Sequence, residues 1–548
     1  MNRSQGQLTH KRTIVMTVAG LFTLALLVRL AVVVIWQFDG LYGQDAYAYL
    51  QQSVAIAERL PQGEPPPADF FWPNGYPLMA AALIGVLGSP VLAGQGVSLL
   101  CGALLAPLVY LLARDLFPHN GQGAGALAGV IVALAGQPVL SSVVVMADMA
   151  ALFWATLAAW LAVRAALQPR WQGWLLLAAG LAAGLAVISR WAYVLMIPAL
   201  AGYGLYQIWR GRLRWPPVGL SLVGGLAVVI PQVVWSLNRP AGLFHSWLLG
   251  WRPLNFLLRH VENIDGVYDY LLPMGLFYAQ PAGHPAYIFP LLGLAGLWAM
   301  WQLWQTRNWP AAILLLGWAG AVYLFLGGIP YQNFRFGLTL YPPLVILAGA
   351  GVADVGRRAA QKGPVYERLA SAGVIISLLG MIVWAIPMLV TFLTAQNRSK
   401  AIAREVEALL PPQATLLAFG ITLTAQHYSS LNTLEFFYCT EDDLQRLTQS
   451  ETPAHFQPVP LIPSHPYPQR PPQPETPAYL LINVPNLEQQ WPGRAPYVNY
   501  HRLRERILLS QVATFPPYTL FKIKLPSGRP PVDPTSLCLP PGEAGPAN

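Results

Sequence analysis

Asp45, Asp148, Arg190 and Arg335 carry charge in a chain with little room for it. Asp148 ends Ser141-Ser142-Val143-Val144-Val145-Met146-Ala147-Asp148, a short link between two apolar runs. Arg190 interrupts Ile188-Ser189-Arg190-Trp191 where two more runs meet. Arg335, in Tyr331-Gln332-Asn333-Phe334-Arg335-Phe336, precedes another run; Asp45 follows the first run, and Arg29 lies within it. A positioned carboxylate can take a proton from a hydroxyl in a transition state. A guanidinium can grip phosphate oxygens in bidentate fashion and stabilise charge growing on a leaving phosphate. Each residue alone also has a plainer reading. Asp45 and Asp148 suit helix N-caps, and each arginine suits an interface anchor. Arg29 can snorkel outward or pair with Asp45 or Asp39. Together, however, the carboxylates and arginines fall at one depth on one side of the apolar runs, which chance placement would not favour.

Those runs must position them. The 548-residue chain has a mean hydropathy of +0.44 and 10% charged residues, against about a quarter charged in an average soluble domain. A bilayer is therefore the expected solvent. Apolar runs near 13–36, 94–113, 123–142, 148–167, 172–189, 191–209, 217–236, 286–304, 310–328, 337–354 and 370–393 predict about eleven helical spans. The first is too long for the core of a signal peptide and reads as a retained helix. Residues 76–90 are apolar but short and read as a helix at the outer interface. With the N-terminus inside, fourteen Lys and Arg fall in inner loops. Six fall outside: Arg59, Arg190, Arg239, Arg252, Arg259 and Arg335. That is the positive-inside pattern, and an extra span at 76–90 would invert most of it. The +9 net charge is thus read as topology, and nucleic acid is excluded as a partner. Acidic residues crowd the outer side, a bias that insertion does not require. The two long outer loops, 37–93 and 237–285, are where function is expected.

Three units follow: a transmembrane unit over 1–394, an extracytoplasmic α/β domain over 395–530 and a disordered tail over 531–548. In the second, strand-like segments at 414–419, 478–484 and 518–525 alternate with helix-like stretches at 399–410, 441–449 and 499–511, and 452–477 is a Pro-rich loop. The fold class is mainly α, a polytopic helical bundle with outer-face amphipathic helices and a small α/β domain. The three cysteines, Cys101, Cys439 and Cys538, show no framework, and no Cys439–Cys538 bridge is expected. His284 before Pro285 is a candidate for lining the site.

The ordered set of motifs resembles the GT-C superfamily of polyprenyl-phosphate-dependent membrane glycosyltransferases, whose bacterial branch includes relatives of protein O-mannosyltransferases and of the lipid A aminoarabinose transferase. Arg29 resembles the arginine often found in the first span, and Asp45 with Tyr49 the first-loop acid and its helix. Phe71-Trp72-Pro73-Asn74-Gly75-Tyr76-Pro77 is similar to the family's Pro-Pro-Gly-Tyr-Pro, with Asn74 in place of the second proline. Asp148 matches the second-loop acid. Gly180 to Arg190 resembles the Gly-rich helix ending in Ser-Arg, and Arg335 to Pro342 the arginine-to-proline start of a late span. The resemblance covers residues 13 to about 394. It implies inverting transfer of a hexose or pentose from a polyprenyl-phosphate donor to a hydroxyl of a protein, lipid or glycan at the outer face of a bacterial plasma membrane. It also implies Asp45 as base, with Asp148 as a second catalytic residue that orients the acceptor, a metal or an arginine. Arg190, Arg335 and Arg29 would bind the donor phosphate, and Tyr49, Tyr76, His284 and Tyr331 would line the site. A divalent metal is an open possibility, and no other cofactor is expected. The alternative reading is a flippase, transporter or ligase of lipid-linked sugars.

Overall fold

A computed structural model describes residues 3–67, 70–237, 250–263, 266–412, 414–439, 477–505 and 508–523. The expected helix at 441–449, the Pro-rich loop up to residue 476, and the tail lie outside these residues. The chain folds as a helical bundle carrying a small sheet domain at one end.

The bundle comprises α1 (Arg3–Trp36), α2 (Asp45–Arg59), α3 (Gly75–Leu87), α4 (Pro90–Leu116), α5 (Gly121–Leu134), α6 (Gly136–Val143), α7 (Asp148–Leu167), α8 (Gln172–Ser189), α9 (Ile197–Trp209), α10 (Trp215–Leu237), α11 (Met274–Ala279), α12 (Pro290–Gln305), α13 (Trp309–Gly328), α14 (Tyr341–Lys362) and α15 (Pro364–Leu409). Among the described residues eight helices are long and apolar enough to cross a bilayer, and the bent pair α5–α6 makes a ninth. The expected eleven would need α9 and α12, with 13 and 16 residues. At 1.5 Å per residue, α3 with its 13 residues reaches about 20 Å, short of a hydrocarbon core of about 30 Å. Its left-handed C-cap Gly88 and the N-cap Ser89 reverse the chain directly into α4.

The expected α/β domain forms around a five-stranded sheet, ordered β4-β3-β5-β7-β6. Its strands are β3 (Thr415–Ala418), β4 (Asn432–Glu435), β5 (Ala478–Ile482), β6 (Leu509–Phe515) and β7 (Tyr518–Ile523). β3 pairs in parallel with β4 and β5, and β5-β7-β6 are antiparallel. The helix expected at 499–511 ends at Glu505 and the chain turns into β6, while β4 was not foreseen. Both are four- to seven-residue strands that interleave polar with apolar residues and carry no apolar run. Cys439 is disulfide-bonded, contrary to expectation; Cys538 lies outside the described residues. Cys101 is free and buried.

The sheet domain leans on both long loops. Lys400 Nζ and the Tyr428 hydroxyl each donate to the Asp39 carboxylate. Gln44 donates to Glu435 (2.9 Å) and accepts from the Leu423 amide (3.1 Å). In the second loop a hairpin, β1 (His260–Asn263) with β2 (Gly266–Asp269), meets Gln490 through Tyr268 and Arg494 through Glu262.

Candidate active site

Two Asp–Arg pairs form beneath this sheet domain, built from four separate stretches of chain. Asp45 is the first residue of α2 and receives Arg335 Nη2 at 2.6 Å. Asp148 is the first residue of α7 and receives Arg190 Nη1. Neither caps its helix: the N-cap positions are Gln44 and Ala147, and no side-chain cap bond is made there. Both carboxylates still lie in a first turn, where the helix dipole favours negative charge.

The arginines are held by their surroundings. Arg190 leaves the end of α8 in extended backbone and its guanidinium lies 4.9 Å from the Phe336 ring. Arg335 lies 5.8 Å from the same ring. Phe336 therefore offers one electron-rich ring to both cations. Arg335 also donates to the Tyr42 hydroxyl (2.9 Å) and to Met146 Sδ. Its Nε is buried and has no acceptor among the described residues. The backbone around Arg335 is pinned by tyrosines of the second loop and of the segment just after it. Tyr278 donates to Tyr331 O and accepts from the Asn333 amide, the Tyr270 hydroxyl accepts from Gln332 N, and Tyr287 donates to Phe334 O.

The aromatic-glycine motif of the first loop explains how α2 and α8 are brought together. Asn74 accepts from Gln52 of α2 (2.8 Å), and its amide donates to Gln232 of α10 (3.0 Å). Gly75 packs so closely that an added Cβ would lie 2.7 Å from backbone atoms of Ile188 and Ser189. That contact sits immediately before Arg190. Tyr49 stacks on Trp72 and meets Tyr76 edge-on, while the Tyr76 hydroxyl donates to Gly94 O. Burial pushes the Tyr49 phenol above its usual range, and the charges of Arg190, Asp148, Asp45 and Arg335 all act on it. The four charges thus share one neighbourhood.

Two of the sequence candidates stand apart. Arg29 is fully buried and neither snorkels nor meets a carboxylate. It donates to Ser142 Oγ (2.9 Å) and to the carbonyls of Ala25, Ala133 and Val132. The last two belong to the end of α5, where a 56° bend into α6 leaves carbonyls without helical partners. Gly102 makes room, since a Cβ there would come within 3.0 Å of Arg29 Nε. Arg29 thus braces a kink, apart from the two Asp–Arg pairs. His284 accepts from the Ala286 amide and packs edge-on against Phe334 and Trp384, one residue from Arg335, with burial lowering its basicity. Tyr331 packs against Phe336.

Tyr42, Met146, Phe336 and Glu435 were not singled out from sequence. Tyr42, three residues before Asp45, was the one with a readable signal. Among the described residues no three His, Cys, Asp or Glu side chains gather as a metal site. Asp45 and Asp148 are each engaged by an arginine.

The family described as dolichyl-phosphate-mannose-protein mannosyltransferase matches residues 73–235. No curated protein matches the chain. Among solved structures, ArnT from Cupriavidus metallidurans in the apo state superposes with a TM-score of 0.55 at 16% identity, covering 90% of this chain and 97% of that one. The same protein bound to undecaprenyl phosphate gives 0.51 at 15% identity over the same shares. The Archaeoglobus fulgidus oligosaccharyltransferase in the apo form gives 0.55 at 12% identity, covering 86% of this chain and 70% of that one. The chain thus shares the fold of these membrane transferases, and its residues 73–235 are similar to the dolichyl-phosphate-mannose-protein mannosyltransferase family.

Proposed function

We propose that the protein is an inverting glycosyltransferase that moves a sugar, hexose or pentose, from a polyprenyl-phosphate donor to an acceptor hydroxyl of a protein, lipid or glycan. The observation that carries this reading is the pair of Asp–Arg contacts gathered from α2, α7, α8 and the turn before α14. The undecaprenyl phosphate in the similar ArnT structure supports the donor class.

In this reading Asp45 is the base. Its side chain is 31% exposed, against 5% for Asp148, so an acceptor hydroxyl can reach it. Arg335 links the base to the leaving group: Nη2 holds Asp45, and the same guanidinium supplies positive charge for the departing phosphate. Arg190, oriented by buried Asp148, supplies a second cation for the charge that develops as the sugar–phosphate bond breaks. The acceptor oxygen attacks the anomeric carbon as Asp45 takes its proton, and polyprenyl phosphate departs from the opposite face. One displacement with one base inverts that carbon. The reading sets the working end at the outer face of a bacterial plasma membrane, with the N-terminus cytoplasmic. The disulfide at Cys439 supports an oxidising location for the sheet domain.

The test is transfer from a panel of polyprenyl-phosphate sugars by purified protein, set against Asp45→Asn. Release of polyprenyl phosphate should fall at least about 100-fold, the lower range for losing a general base, while donor binding survives. Turnover unchanged in Asp45→Asn would remove the base assignment. Donor binding without turnover in the native protein would favour a flippase.

A further inference from the structure

The far end of the bundle carries a second charged concavity. Asp148 and Arg164 lie near opposite ends of α7, so by the helical rise this end is more than 20 Å from the site. Here the turns between α9 and α10 and between α12 and α13 meet the ends of α4, α7 and α14. They enclose a cavity of about 560 Å³ lined by Arg210, Arg212, Arg307 and Arg357, within the size range of ligand sites.

The charge in it is not balanced. Asp115 is taken by Arg114, Arg164 and the Trp160 indole. Asp354 is taken by Arg357, Arg358 and the Trp298 indole. With both lining carboxylates so occupied, the other three lining arginines, Arg210, Arg212 and Arg307, form no ion pair among the described residues. A topogenic role needs cations in these loops, but not their convergence on one cavity. The turns are also fixed in place. Gln172 accepts from the Arg214 amide and donates to Arg212 O, and Asn308 donates to Leu116 O. Arg307 is held at a φ of +53°, a conformation that non-glycine residues rarely adopt without a reason.

Depth identifies the source of the anion. Trp209, Trp215 and Trp304 flank the arginine turns and are exposed, as in an aromatic belt at the level of lipid headgroups. Apolar walls from α7, α12 and α14 lie beneath the arginines. We propose that this cavity binds the phosphate of an anionic membrane-lipid headgroup, with Arg210, Arg212 and Arg307 as its ligands. The inference is independent of the sugar-transfer reading.

The test titrates the full-length protein in detergent with short-chain phosphatidylglycerol, phosphatidylcholine or inorganic phosphate, counting bound lipid by native mass spectrometry. Phosphatidylglycerol should saturate a site that phosphatidylcholine does not. Roughly fivefold per interfacial arginine gives an affinity about 100-fold weaker in the triple variant Arg210→Gln/Arg212→Gln/Arg307→Gln. The corresponding triple lysine variant, of equal charge, should keep most of the binding, which separates site loss from misfolding. Equal binding of both lipids, or of phosphatidylglycerol by native and glutamine variants, overturns the proposal. Inorganic phosphate that displaces the lipid at equal concentration overturns the lipid source.

Discussion

Asp148→Leu, Arg190→Met and the double variant form a cycle whose outcome the geometry sets. The pair is 5% and 17% exposed, so little solvent screens a charge left behind. Stranding one member of a buried pair costs about 3–5 kcal/mol. In Asp148→Leu, Arg190 keeps the Phe336 ring at 4.9 Å, which offsets about 1 kcal/mol, leaving a loss of about 3 kcal/mol. Arg190→Met strands the carboxylate and should cost about 4 kcal/mol on the same scale. The double variant removes both charges and should cost no more than about 1 kcal/mol, far from the additive 7. Unfolding of each protein in mixed micelles, followed by circular dichroism over a range of SDS fractions, reads these differences. Additivity within about 0.5 kcal/mol would refute the coupling. Turnover carries separate information, because the double variant recovers stability but not a phosphate ligand. If sugar transfer returned in the double variant, Arg190 would have no role in the leaving group.

Burial raises Glu435 to about 7, with hydrogen bonds from Thr422, Phe437 and Gln44 opposing. Because its folded value lies above the ordinary carboxyl value of 4.5, between these two values the folded state holds a proton that the unfolded state has lost. This contribution to stability is therefore greatest below about pH 4.5 and is lost as pH rises to 7, by about 3 kcal/mol at most. Glu435→Gln should flatten that slope and slow hydrogen exchange in β4 at pH 8; an unchanged slope would show that Glu435 does not titrate there. Gly75→Ala places a Cβ 2.7 Å from the Ile188 backbone, so a cost of about 1–3 kcal/mol is expected, with reduced turnover through a displaced Arg190; native melting and turnover would count against the close contact. Arg29→Met should lower stability by about 3 kcal/mol through the orphaned carbonyls of the α5–α6 bend, yet leave the donor affinity of the folded fraction within about twofold, read by lipid-phosphate titration.

The sequence by itself determined the solvent and the fold class, and it singled out charges that the apolar runs leave little room for. Long apolar runs with few charges have one stable setting, a bilayer crossed by helices that satisfy their own backbone. An ionisable residue stranded between such runs is legible without neighbours, because its cost is local; this is how Asp148, Arg190 and Arg335 stood out. Strand-like apolar segments also signalled three of the five sheet strands, whereas β4 and β6 interleave polar with apolar residues and carry no such run. Only the tertiary structure decided the partners. Asp45 lies 290 residues from Arg335, and no local pattern encodes a contact at that separation. The contacts of Arg29 depended on a bend in α5–α6 about a hundred residues away, whose freed carbonyls accept from its guanidinium. Glu435 reaches Gln44 only once the sheet domain is docked. Burial and charge pairing are properties of the assembled fold, since they depend on which distant segments exclude water together.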